Sequence, residues 1–117
     1  MIYRIVGNQT GWTYEFVKKK LDAVDVFQGD MIISGGADGV DTYAQQYAKE
    51  NGMTIVIHYP KIYLPPPQRY FDRNEQIAKE CDILIAFDKK SGRAGTKNTI
   101  AYAKKHGKMF FVYKDEE

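Results

Sequence analysis

Short apolar runs alternate along this chain with stretches in which apolar residues recur every three to four positions. The runs cover residues 2–6, 31–33, 54–58, 83–87 and 109–113, each rich in Ile, Val or Phe. Their length and density predict strands covered on both faces. Between them, Val40, Tyr43, Ala44, Tyr47 and Ala48 fall at one helical face, and Gly52 supplies a stop. Trp12, Phe16, Val17, Leu21 and Val24 mark an earlier helix. Tyr70, Ile77, Ala78 and Cys81 mark a third, and Thr96, Thr99, Ile100 and Ala103 a fourth that Gly107 closes. The order β-α-β-α-β-α-β-α-β predicts an α/β fold, a five-stranded parallel sheet with helices on both faces.

Residues 1–117 show no internal repeat and no boundary, so one domain is expected. All four prolines lie in residues 59–68, where Pro65-Pro66-Pro67 favours an extended, stiff segment. That segment reads as a long strand-to-helix connection, with a lid or a subunit contact as the alternative.

Ligands of such sheets sit beyond the carboxyl ends of the strands, where strand order reverses. Seven of the ten glycines fall at three strand tips. The first tip is Gly7-Asn8-Gln9-Thr10-Gly11, and the second is Ser34-Gly35-Gly36-Ala37-Asp38-Gly39-Val40-Asp41. The fourth strand ends in Asp88, followed by Lys89-Lys90-Ser91-Gly92-Arg93-Ala94-Gly95-Thr96. Two of these tips open helices, whose free N–H groups and dipole suit an anion. A plain strand-to-helix turn capped by Asp38 is the simpler account of the second tip. The G-x-G-x-x-G spacing of dinucleotide sites and the lysine of an NTPase P-loop are both missing, so no cofactor is expected. The first and third strands end without a carboxylate, which excludes a receiver-type phosphoacceptor.

Charge sharpens this picture only mildly. The net charge is +2, with 5 Lys+Arg and 7 Asp+Glu in residues 1–58 against 12 and 8 in residues 59–117. That bias suits a small phosphate-bearing ligand and is too weak for a dedicated duplex-DNA binder. A lone Cys81 leading into a core strand excludes an intramolecular disulfide and suggests an inert thiol. His58 and His106 are too isolated for a metal site. No apolar run approaches the ~18 residues of a membrane span. The opening residues read as a strand without a basic leader, so the cytoplasm is the expected location.

Arg73 and Asn74 open the third helix in this reading. Asn74 shares the apolar stripe of Ile77 and Ala78, so it points inward and needs a polar partner. Arg73 beside it could offer a bidentate contact to a phosphate or carboxylate.

These pieces, in order, are the strand to Gly7, the Ser34–Asp41 tip, Arg73-Asn74 with Ala78, residues 81–87, Ser91-Gly92 and Gly95-Thr96. The set resembles the SLOG superfamily, in particular its small YspA-like members, over nearly the whole chain. The resemblance implies a Rossmann-like, three-layer domain that binds nucleotides or nucleotide-derived ligands, commonly as a homo-oligomer. Gly95-Thr96 is similar to part of the P-G-G-x-G-T-x-x-E motif of the cytokinin-activating phosphoribohydrolases. The glutamate of that motif falls on Thr99, which cannot serve as a base. The second tip is similar to the S-G-x-A-R-G-I-D of the DNA-processing protein A family, with Asp38 in place of the arginine.

The leading expectation is therefore a sensor, sequestering or pathway module that binds a nucleotide-derived small molecule. Its ligand set is Gly7, Asn8, Ser34, Gly35, Gly36, Gly39, Asp41, Arg73, Asn74, Ser91, Gly92, Gly95 and Thr96. One alternative is hydrolysis of the N-glycosidic bond of a nucleoside monophosphate, with Asp38 or Asp41 as the carboxylate and Arg73 assisting. A less favoured one is single-stranded nucleic acid held by tyrosines and by Lys89, Lys90 and Arg93. No membrane partner is expected.

Overall fold

The computed structural model describes residues 1–8, 10–24, 30–36, 39–89 and 94–114. Asp38, Lys90, Ser91, Gly92 and Arg93, all singled out by the sequence, lie outside the described residues. The elements are β1 (Ile2–Gly7), α1 (Tyr14–Ala23), β2 (Met31–Ser34), α2 (Val40–Glu50), β3 (Thr54–Ile57), α3 (Gln68–Glu80), β4 (Ile83–Phe87), α4 (Ala94–Lys105) and β5 (Met109–Tyr113). All strand pairs are parallel, in the order β3-β2-β1-β4-β5. Strand order therefore reverses between β1 and β4, whose tips end at Gly7 and Phe87. This is a Rossmann-like α/β fold.

Alternation along β1 decides the layers. Tyr3 and Ile5 enter a core with Val17 and Leu21 of α1, Val40, Ala44 and Tyr47 of α2, and Phe87. Val6 faces the other way, into a cluster with Leu84, Ala86, Ile100 and Ala103. Arg4 stands on that second face, beside Leu84 in the register. Thr13 caps α1 by accepting from the Phe16 N–H at 3.2 Å.

Three sequence expectations are corrected here. Only β1, β2 and β4 are well covered; β3 and β5 are sheet edges, and Met109, Phe110 and Phe111 of β5 are exposed. The third helix begins at Gln68, so Arg73 and Asn74 lie in its second turn. Pro67 at the cap position permits that earlier start, since a helix's first turn does not need the missing N–H. The proline-rich segment is turned back on itself rather than extended. Leu64 N–H meets the Lys61 carbonyl at 3.0 Å, and Arg69 donates to the carbonyls of Leu64 and Ile62 at 2.8 and 3.2 Å. A Lys61–Asp72 ion pair at 3.2 Å ties the same strap to α3.

Candidate functional site

The second tip is held by its own side chains. Ser34 is fully buried; its Oγ accepts from the Gly36 N–H at 3.2 Å and lies 3.5 Å from the Asp41 carbonyl. One N–H expected to face an anion is thus already paired, and Ser34 turns away from the cleft. Gly39 takes the cap position of α2 at φ +74°, the place the simpler account gave to Asp38, and makes no side-chain cap bond. Gly7 has a packing reason: a Cβ there would lie 2.5 Å from Val40 Cγ2 and 2.9 Å from the Phe87 carbonyl oxygen.

A cleft of about 860 Å³ opens above these tips, within the range of small-molecule sites. It gathers Gly7, Asn8, Gly35, Gly36, Asp41, Arg73, Asn74, Gly95 and Thr96 of the expected set. Ser34 and Gly39 do not line it, and Ser91 and Gly92 lie outside the described residues.

Its floor is a buried charge cluster. Arg4 Nη1 donates to Asp41 Oδ1 at 3.0 Å and to the Ile5 carbonyl at 2.8 Å. Arg4 Nε is buried without a hydrogen-bond partner among the described residues. Arg73 Nη1 donates to the Gly35 carbonyl at 2.7 Å, and its Nε to Asn74 Oδ1 at 3.0 Å. Asn74, buried as expected, donates in turn to Asn98 Oδ1 at 3.3 Å. Burial lowers the pKa of Arg73 below the usual arginine value, and the Arg4 guanidinium pushes the same way. Two guanidiniums thus share a floor whose lining offers a single carboxylate, Asp41, among the described residues.

Asn8 joins the first and fourth tips. Its Oδ1 accepts from Lys89 N–H at 2.7 Å and Trp12 Nε1 at 3.1 Å, while its Nδ2 lies 3.5 Å from Thr96 Oγ1. Gly95 sits in the first turn of α4, and a Cβ there would meet nothing within 4 Å among the described residues. Two lysines turn to an internal carboxylate: Lys97 of α4 and Lys114 after β5 both bond the buried Asp88, at 2.9 and 3.2 Å. Thr99 lines the cleft, but its hydroxyl donates to the Gly95 carbonyl at 3.0 Å.

Sequence reasoning missed Arg4 and the aromatic wall of Tyr59, Tyr70 and Phe71. A charged residue inside an otherwise apolar strand was the available signal for Arg4. Cys81 is buried, and burial raises its thiol pKa, as suits an inert group. Among the described residues, no cluster of His, Cys, Asp or Glu could hold a metal, and no helix is long and apolar enough to cross a membrane.

No protein-family model and no curated protein matches the chain. Two solved structures share its fold. DNA processing protein A (DprA) from Streptococcus pneumoniae superposes with a TM-score of 0.76 at 20% identity over 94% of this chain. The chain spans about half of that protein, 49%. The structural-genomics target TM1055 superposes with a TM-score of 0.67, also at 20% identity, over 94% of this chain and 72% of its own. Both likenesses establish the Rossmann-like α/β fold.

Proposed function

We propose that this chain is a SLOG-like module that binds a nucleotide or nucleotide-derived small molecule in the cleft over β1, β2 and the start of α4. One observation carries the reading. Arg4 and Arg73 converge on a partly desolvated floor with only Asp41 as a lining carboxylate among the described residues. An anion placed there would relieve the excess positive charge in a low-dielectric setting. The N-terminal turn of α4 faces the same cleft through Gly95 and Thr96 and adds its dipole. The fold shared with DprA and the motif order from Gly7 to Thr96 support the same reading.

Binding is favoured over N-glycosidic hydrolysis because Asp41 is engaged with Arg4, and Thr99 stands where a catalytic glutamate would be required. Calorimetry with the four common nucleoside 5′-monophosphates and with inorganic phosphate tests the reading. Saturable binding of at least one nucleotide is expected, with no free base seen by chromatography after prolonged incubation. Heat-silent titrations at millimolar nucleotide, together with no melting-temperature shift, would reject it.

A further inference from the structure

The proline-rich strap, through Tyr59, and the first turn of α3, through Tyr70 and Phe71, place three aromatic rings on the side of the cleft that the strand tips do not form. Tyr59, Pro60, Pro67, Tyr70 and Phe71 all line it. Tyr59 is 70% exposed, and its ring passes over Gly36, where a Cβ would lie 3.2 Å from Cε1. The bare α-carbon of Gly36 is what lets the ring settle against the second tip. Tyr70 lies beside the charged floor, with the Arg73 guanidinium carbon 5.9 Å from its ring centroid. Phe71 is 37% exposed. What sets these three rings apart is their place on the cleft, since Ile62 and Tyr63 of the same strap are at least as exposed and do not line it.

The strap is also fastened. Arg69 holds its Ile62 and Leu64 carbonyls, and Lys61 is paired with Asp72. Both anchors, Arg69 and Asp72, belong to α3, the helix that carries Arg73. Tyr70, Phe71 and Arg73 thus ride on the helix that also fastens the strap carrying Tyr59, and this shared support lowers the ordering cost of binding. A ligand matching both is anionic at one end and flat and aromatic at the other.

Building on the nucleotide reading, we infer that Tyr59, Tyr70 and Phe71 form a base-stacking wall, and that the strap sets preference for the base. Rings stack on any base but gain more from a larger one, so purine nucleotides bind more tightly than pyrimidine nucleotides. Arg4 and Arg73 hold the sugar-phosphate end.

The test titrates adenosine 5′-monophosphate, uridine 5′-monophosphate and ribose 5-phosphate into wild type, Tyr59→Ala and Phe71→Ala. In wild type the order is adenosine over uridine nucleotide, with ribose 5-phosphate weakest. Each alanine variant lowers adenosine nucleotide affinity by roughly 5- to 100-fold, the range for one lost stacking partner. Ribose 5-phosphate affinity stays put, and Tyr59→Phe keeps most of the nucleotide affinity. Circular dichroism on each variant reports folding, and an exposed Tyr59 makes its alanine variant a well-folded one. If both variants bind the nucleotides as wild type does, or lose nucleotide and ribose 5-phosphate equally, the wall is not a base site. If wild type binds ribose 5-phosphate as tightly as the nucleotides, the wall fails while the anion cleft stands. If wild type binds none of the three, the nucleotide reading itself fails.

Discussion

Arg4 in β1 and Asp41 in the first turn of α2 meet at 3.0 Å with both side chains almost wholly withdrawn from water, at 2% and 6% exposure. They tie the central strand to the second tip at the level of the cleft floor. Such a pair is costly to desolvate, and the carbonyls of Ile5 and Ile33 lie 2.8 and 3.4 Å from the same Arg4 nitrogen. A core of equal volume and no charge would hold the fold as well. On the proposed reading, the pair keeps the floor charged and fixed for an anionic ligand.

Breaking the pair on one side should therefore be severe. Asp41→Asn leaves the buried Arg4 cation without its counter-charge and should lower stability by about 3–5 kcal/mol. Arg4→Met combined with Asp41→Asn should recover much of that loss, because no lone charge then remains buried. Denaturant midpoints of the two variants decide it; a loss below about 1 kcal/mol for Asp41→Asn would mean that water reaches the pair.

Two glycines that look alike in sequence should behave differently. Gly95→Val places its side chain in cleft space that no described residue fills, so the fold should persist while nucleotide binding is blocked. Gly36→Val meets a backbone at φ +76° and atoms of Ile57 and Tyr59 at 3.1 and 3.2 Å. It should cost stability as well as binding, by about 1–3 kcal/mol for the backbone alone. Melting curves beside calorimetry separate the two cases.

Local pattern carried much of this fold. Five apolar runs became five parallel strands, and four of the seven glycines at the tips, Gly7, Gly35, Gly36 and Gly95, line the cleft. Pairings distant in sequence were not legible. Arg4 finds Asp41 37 residues away, and Lys97 turns from the cleft to the buried Asp88. The edge position of β5 depends on strand order, which a run of Met109, Phe110 and Phe111 does not encode. Periodicity likewise gave no sign that Arg69 would turn the strap back on itself.

Tyr47 and Asp22 join α2 to α1 through a 2.7 Å hydrogen bond from the phenol to the carboxylate. That bond is the main cause holding Asp22 below its usual carboxylate pKa, and burial with the same bond raises Tyr47 above the usual phenol range. The Asp22 contribution is therefore present above an unfolded aspartate pKa near ~4 and is lost as pH falls through the lower folded value. The Tyr47 contribution is present below about pH 10 and is lost at higher pH. Tyr47→Phe should lower the melting temperature at neutral pH and flatten the dependence on both limbs. Parallel wild-type and variant profiles would remove the bond from the stability balance.

Arg73 gives the sharpest test, because the sequence and the structure lead to different expectations for it. Read from the sequence as a contact reserved for a phosphate or carboxylate, its loss would leave the empty protein unchanged. In the structure it holds the Gly35 carbonyl at 2.7 Å and the Asn74 amide oxygen at 3.0 Å, so it fixes the second tip to α3. Gly35 gives it room: a Cβ there would stand 3.0 Å from Arg73 Nη1. Arg73→Ala should thus destabilise the empty protein by about 1–2 kcal/mol, the scale of charge-assisted bonds to neutral acceptors in a half-exposed setting. It should also weaken nucleotide binding by about 1.5–3 kcal/mol, since the floor loses one of its two guanidiniums. Arg73→Lys should restore part of the binding through its charge but little of the stability, because an ammonium cannot span both acceptors. Denaturation and calorimetry on the same preparations measure the two effects separately. A variant that loses stability but binds nucleotides as before would make Arg73 a brace of the tip alone and leave the anion to Arg4 and α4.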